Sequence, residues 1–173
     1  MGWSSEDIKV KFQWTFPIVI SMHDPKVLYA GGSTLFRSTN EGQSFVPISP
    51  PLARNDPRTL GASGGPITKD QTGVETYGVV FTLAESHQSG DVLWVGSDDG
   101  YVQVTRDGGK TWKNVTPPGS PIQYGIALEP GNAQSLYSCS AEGAKRSVNA
   151  GGDWAPLPTT GNDRGRGFRD IEL

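Results

Sequence analysis

Short apolar runs alternate with polar punctuation rich in glycine and proline along this chain, and one succession of runs recurs three times. A first run reads "FPIVIS" from 16, "GVVFTLAES" from 78 and "YGIALEP" from 124. A second reads "VLYAGG" from 27, "VLWVGS" from 92 and "SLYSCS" from 135. Each second run leads, past a short third one, into a polar octet: "STNEGQSF" at 38–45, "TRDGGKTW" at 105–112 and "SVNAGGDW" at 147–154. A brief strand into proline closes each unit: "FVPISPP", "WKNVTPP" and "WAPLP". Apolar runs of this length, bounded by turn residues, read as β-strands. Each unit is therefore four strands, A to D, with the octet joining C to D.

Repeat spacing converts strands into architecture. The second and third octets start 42 residues apart (147 − 105), a period typical of one four-stranded propeller blade. The first two start 67 apart (105 − 38), and the excess is one insertion, "PPLARNDPRTLGASGGPITKDQTGVE", at 50–75. The expected fold is all-β: a partial β-propeller of three four-stranded antiparallel blades, plus the first strand of a fourth. The boundaries read as 1–15 for an edge or closing segment, 16–49 for blade 1 and 50–76 for the inserted loop. Blade 2 takes 77–118, blade 3 takes 119–158, and 159–173 forms a linker and the start of a next blade, "GFRDIEL". Three blades do not close a ring, since propellers have about four to eight. The expectation is a piece of a larger propeller, or self-association of copies to complete one.

The octets fit Ser/Thr-x-Asp/Asn-x-Gly-x-(Ser/Thr/Asp)-Trp/Phe, and they resemble the Asp-box (BNR) repeats of sialidase-like, xyloglucanase-like and sortilin-like β-propellers. Phe12 to about Pro118, with "WTFPIVIS", "DPKVLYAGG", "ARNDP", "GGPITKD" and "LWVGSDDG", resembles bacterial BNR-repeat proteins labelled glycosyl hydrolases. The resemblance implies a bacterial protein, leaves export open, and suggests glycoside hydrolysis. Within the octets, Asn40, Asp107 and Asn149 are read as acceptors of backbone N–H groups in Asx-type turns. Ser38, Thr105 and Ser147 bond within the turn, and Gly42, Gly109 and Gly151 permit positive φ. Phe45, Trp112 and Trp154 are expected to pack between sheets. Asn replaces Asp in two copies, which an acceptor survives and a catalytic carboxylate does not.

Topology then moves the search for function to the opposite end, where the B–C turns "GGST", "SDDG" and "SAEG" meet the D–A insertion. Candidate carboxylates there are Asp98 and Asp99, paired across a cleft with Asp56, Asp70 or Glu75, because glycoside hydrolysis needs two carboxyl groups flanking the bond. Asp98-Asp99-Gly100 also reads as a plain hairpin turn. Arg54, Asn55, Asp56, Arg58 and Glu142 are candidate ligand contacts, and the insertion is either a binding lip or a cover for a sheet edge. Three functions follow: a module recognising glycan or protein, a glycoside hydrolase, or a structural piece that works only in a larger chain or assembly.

Composition narrows the partners. The net charge is −3 and there is no dense Lys/Arg block, so neither nucleic acid nor an anionic membrane is expected as a partner. No run is apolar enough for a signal h-region or a span, and the reading is a soluble chain of unassigned compartment. One cysteine, Cys139, excludes an internal disulfide and a cysteine-based zinc site. His23 and His87 fall in A–B connections without a carboxylate cluster, so neither a metal nor a cofactor is expected. Arg37, Arg106 and Arg146 precede or enter octets, which places them away from the ligand face and against a sialidase-type arginine clamp.

Overall fold

The computed structural model describes residues 7–62, 64, 67, 76–119 and 122–158 of the chain. They form twelve strands in three antiparallel four-stranded sheets, each a simple meander. Blade 1 comprises β1 (Ile18–Ile20), β2 (Leu28–Gly31), β3 (Leu35–Ser38) and β4 (Val46–Pro47). Blade 2 comprises β5 (Val80–Ser86), β6 (Ser89–Ser97), β7 (Val102–Thr105) and β8 (Lys113–Asn114). Blade 3 comprises β9 (Gln123–Leu128), β10 (Leu136–Ser140), β11 (Gly143–Ser147) and β12 (Ala155–Pro156). The chain is thus a partial β-propeller. The expected strand in "GFRDIEL" lies outside the described residues.

The core sits between blades, where facing sheets exclude water from their alternate residues. At the first junction Tyr29 and Leu35 of blade 1 meet Val80, Leu83, Leu93 and Val95 of blade 2, with Leu52 from the insertion buried among them. At the second, Trp94, Val102 and Val104 of blade 2 meet Ile126, Leu128 and Leu136 of blade 3. Trp94 is fully buried, while its sequence neighbours Leu93 and Val95 face the other junction. A single strand therefore feeds both cores through the two-residue period of the pleat. Glycine lets blades 2 and 3 approach closely. A β-carbon on Gly96 would lie 2.6 Å from Thr82 Cγ2 and 2.8 Å from Gln123 Cβ.

Polar groups also cross the first junction. The Glu85 carboxylate, 4% exposed, accepts from Ser21 Oγ at 2.7 Å, Met22 N–H at 2.7 Å and the Tyr29 hydroxyl at 3.3 Å. Burial, with Glu85 beside it, pushes the Tyr29 phenol up to about 12. Such a carboxylate is tolerated inside because its lone pairs are met by donors from the other blade.

Candidate functional site

Antiparallel meanders put the A–B and C–D connections at one end of the sheets and the B–C and D–A connections at the other. All three octets sit at the first end and share one hydrogen-bond plan. Asp107 Oδ1 accepts from Thr105 Oγ1 (2.8 Å) and Thr111 N–H (2.8 Å), while Oδ2 accepts from Thr111 Oγ1 (2.6 Å). Asn40 Oδ1 accepts from Ser38 Oγ (2.9 Å) and Ser44 N–H (3.0 Å), and Asn149 Oδ1 from Ser147 Oγ (3.0 Å) and Asp153 N–H (2.7 Å). The glycines at 42, 109 and 151 have φ of +83°, +96° and +80°, and each donates its N–H to the octet's first hydroxyl. The hydroxyl and N–H of Thr111, with the Thr105 hydroxyl, hold the Asp107 carboxyl down at about 2.

Tryptophan links the second and third octets each to the blade before it. Trp112 Nε1 donates to the Ile48 carbonyl (3.2 Å) and Trp154 Nε1 to that of Val115 (2.8 Å). Phe45 has no described blade on that side and stays 40% exposed, so the expectation that it packs between sheets is not met here. Arg106 lies over the Trp94 ring and Arg146 over Tyr137, with Arg146 also paired to Glu129 at 2.9 Å. At this end His23 Nε2 also contacts the Ser86 carbonyl at 2.7 Å.

The other end holds a cleft of about 580 Å³, lined by Arg54, Asp56, Thr59, Tyr77, Asp99, Thr116, Pro117, Pro118 and Gly119. Its floor is a buried polar cluster. Asp98 and Asp99 are each 6% exposed, in the turn between β6 and β7. Asp98 Oδ1 accepts the N–H groups of Gly78 (3.0 Å) and Val79 (2.9 Å), while Oδ2 is buried without a hydrogen-bond partner among the described residues. Burial pushes this carboxyl up to about 6; the two N–H donors pull down and the Asp99 charge adds to the rise. Asp99 accepts from Ser97 Oγ (2.6 Å) on one oxygen and from Asn55 N–H (3.0 Å) on the other.

Opposite lies Lys11, 5% exposed, whose ammonium donates to Asn55 Oδ1 at 2.7 Å. Burial lowers its pKa, against the pull of Asp98 and Asp99. Asn55 adopts φ +52°, a left-handed conformation its short amide tolerates, and so serves Lys11 and Asp99 together. Three distant segments thus converge at the base of the cleft: the N-terminal stretch, the insertion and the β6–β7 turn.

Of the ligand candidates, Arg54, Asp56 and Asp99 line the cleft, with Asn55 and Asp98 beneath. The Arg54 guanidinium lies 4.9 Å from the centre of the Tyr101 ring. Asp56 caps the 3-10 turn Pro57–Thr59 and is paired to Arg58 at 2.6 Å, which holds it down at about 2. The Glu142 carboxylate stands beside Gly119 at the wall. Asp70 and Glu75 lie outside the described residues. Lys11, Tyr77, Tyr101 and the Thr116–Pro118 wall escape a reading by sequence. Only the position of "TPP" in a D–A connection marks that wall in advance.

No family model matches the sequence, and no curated protein matches it. Solved structures do. An ancestral GH74 enzyme superposes with a TM-score of 0.58 over 83% of this chain, at 19% identity. YCF48, in a structure bound to D1 peptide, superposes with a TM-score of 0.50 over 86% of this chain, at 18% identity. This chain spans 18% of the first protein and 43% of the second. At such identities the likeness shows the fold, a β-propeller.

Proposed function

We propose that this chain is a recognition module built on Asp-box (BNR) blades, which binds a glycan or an extended peptide in the Tyr77–Arg54 cleft without cleaving it. The observation that carries this reading is the orientation of the two central carboxylates. Asp99 has both oxygens engaged by Ser97 and Asn55, and Asp98 is turned inward onto Gly78 and Val79. Adjacent carboxylates spent on holding loops do not flank a bond as acid and nucleophile. What the cleft offers is a tyrosine, an arginine stacked on a second tyrosine, a capped ion pair and two prolines. Ligand sites are built of such pre-formed concave surfaces with a few oriented polar groups. The GH74 enzyme and the peptide-bound YCF48 make glycan and peptide the two ligand classes to test.

Asp98, with its pKa near 6, is the one feature that favours the hydrolase reading. Glycan and peptide arrays, followed by calorimetry and a reducing-end assay, separate the readings. Binding without turnover is expected, weakened at least about tenfold by Tyr77→Ala or Arg54→Ala, which is about 1.4 kcal/mol. Turnover abolished by Asp98→Asn or Asp99→Asn supports hydrolysis instead. Binding indifferent to both cleft substitutions removes the cleft as the site.

A further inference from the structure

The contact between blades is made twice from the same parts. Ile48 and Val115, the carbonyl acceptors for Trp112 and Trp154, hold equivalent places just past the outer strands β4 and β8. Each is fixed by donating its own N–H inward, to Leu35 O and Val102 O respectively, both at 2.8 Å. Leu157 repeats this just past β12, donating to Ala144 O at 2.9 Å. Its side chain is half-buried, whereas that of Val115 is covered by blade 3. Among the described residues, blade 3 therefore presents the edge that blades 1 and 2 insert into their successors.

Blade 1 shows the receiving counterpart. Its positions equivalent to the buried Leu83 and Trp112 are Ile18 and Phe45, 60% and 40% exposed. Ile20, two residues along β1 on the same face as Ile18, extends the surface at 63% exposed. Ile18 and Phe45, with Val10, Phe12, Phe16, Ala30 and Phe36, enclose an apolar hollow of about 440 Å³. Among the described residues, seven of the nine exposed large hydrophobics fall between Val10 and Val46, so exposed apolar area is concentrated on the N-terminal stretch and blade 1. Patches of that kind mark interaction sites.

We infer that this face seats the outer edge of blade 3 from a second copy of the chain, in a head-to-tail pair. The occupant follows from continuity with the interface built twice within the chain: the same apolar face receives the same strand edge each time. Joined at both seams, the three described blades of each copy make a six-bladed ring, within the size range of propellers. A heterologous contact of this kind yields a closed assembly when its rotation closes. Phe45 stands where the internal seams carry tryptophan, so the seam between copies lacks the indole hydrogen bond. The inference is independent of what the cleft binds.

Sedimentation velocity and light scattering on the full chain test it, with circular dichroism to verify folding. The wild type is expected at twice the chain mass at high micromolar concentration, and Ile18→Lys and Leu157→Arg are each expected as monomers. Mixing those two variants restores a pair, because one seam then joins two unmodified faces. Phe45→Trp supplies the missing donor and tightens association about fivefold per seam, the equivalent of one ordinary hydrogen bond. A wild-type monomer overturns the inference. A Leu157→Arg variant that still pairs shows blade 1 meeting blade 1 and overturns the head-to-tail arrangement, as does a mixture that stays monomeric.

Discussion

The indole N–H of Trp154 reaches the carbonyl of Val115 at 2.8 Å, joining the octet of blade 3 to the outer edge of blade 2. Trp154→Phe keeps most of the packing and removes that bond, leaving a carbonyl at the seam without its donor. Stability is expected to fall by about 1 kcal/mol. Urea unfolding monitored by fluorescence reads this as a lower midpoint at unchanged slope.

Gly109 sits at φ +96°, and a β-carbon there would lie 2.5 Å from the Ile48 carbonyl oxygen. Gly109→Ala therefore meets both backbone strain and a backbone collision, and a loss of about 2 kcal/mol or more is expected. Gly131 has φ +76° with nothing within 4 Å of the added carbon. Gly131→Ala carries the strain alone, at about 1 kcal/mol. Equal costs in thermal unfolding would remove the close approach of octet and edge as a determinant of stability.

Asp107 is expected to tolerate asparagine, which both other octets use, and to resist alanine. Asparagine retains an oxygen for Thr105 and the Thr111 N–H, whereas alanine strands those donors. The order in thermal unfolding is wild type, then Asp107→Asn close behind, then Asp107→Ala well below. Loss of ligand binding with unchanged stability in Asp107→Asn would contradict a turn role.

Asp98 gives the cleft floor a pH signature. Its folded pKa, about 6, lies above the ordinary value of 3.8, so the folded state binds the proton more tightly than the unfolded chain. Its contribution to stability therefore grows as pH falls from about 7 through 6 toward 4, by up to about 3 kcal/mol. Asp98→Asn should lose that rise. Chemical denaturation at stepped pH reads the difference, and identical pH profiles for the two proteins would refute it.

Lys11 is the ammonium that opposes that shift. Its charge pulls the Asp98 pKa down, so Lys11→Met should move the Asp98 titration to higher pH. Carboxyl NMR titration follows it directly. A lower Asp98 midpoint in Lys11→Met would show that the lysine does not act on this carboxylate by its charge.

Strands and octets were legible from sequence because their causes are local. The two-residue alternation of β6 assigns Leu93, Trp94 and Val95 to opposite faces wherever the blade lies. Each octet closes through bonds among residues four positions apart or fewer, so "TRDGGKTW" carries its own turn. The candidate site was only partly legible. The reading placed Arg54, Asp56 and Asp99 at one end of the sheets, since topology alone puts B–C and D–A connections together. Lys11 escaped because its hydrogen-bond partner, Asn55, is 44 residues away in an irregular insertion.

Sequence by itself therefore determined the repeating blade, its four-strand order and the end of the sheet at which each turn emerges. These follow from side-chain periodicity and from side chains bonding to their own backbone. Tertiary structure alone decided that Asp98 and Asp99 turn inward, that Tyr77 and Arg54 face the opening, and that Ile18, Ile20 and Phe45 of blade 1 stay exposed among the described residues. Those outcomes depend on desolvation and on donors supplied by distant segments, neither of which exists until the blades pack together.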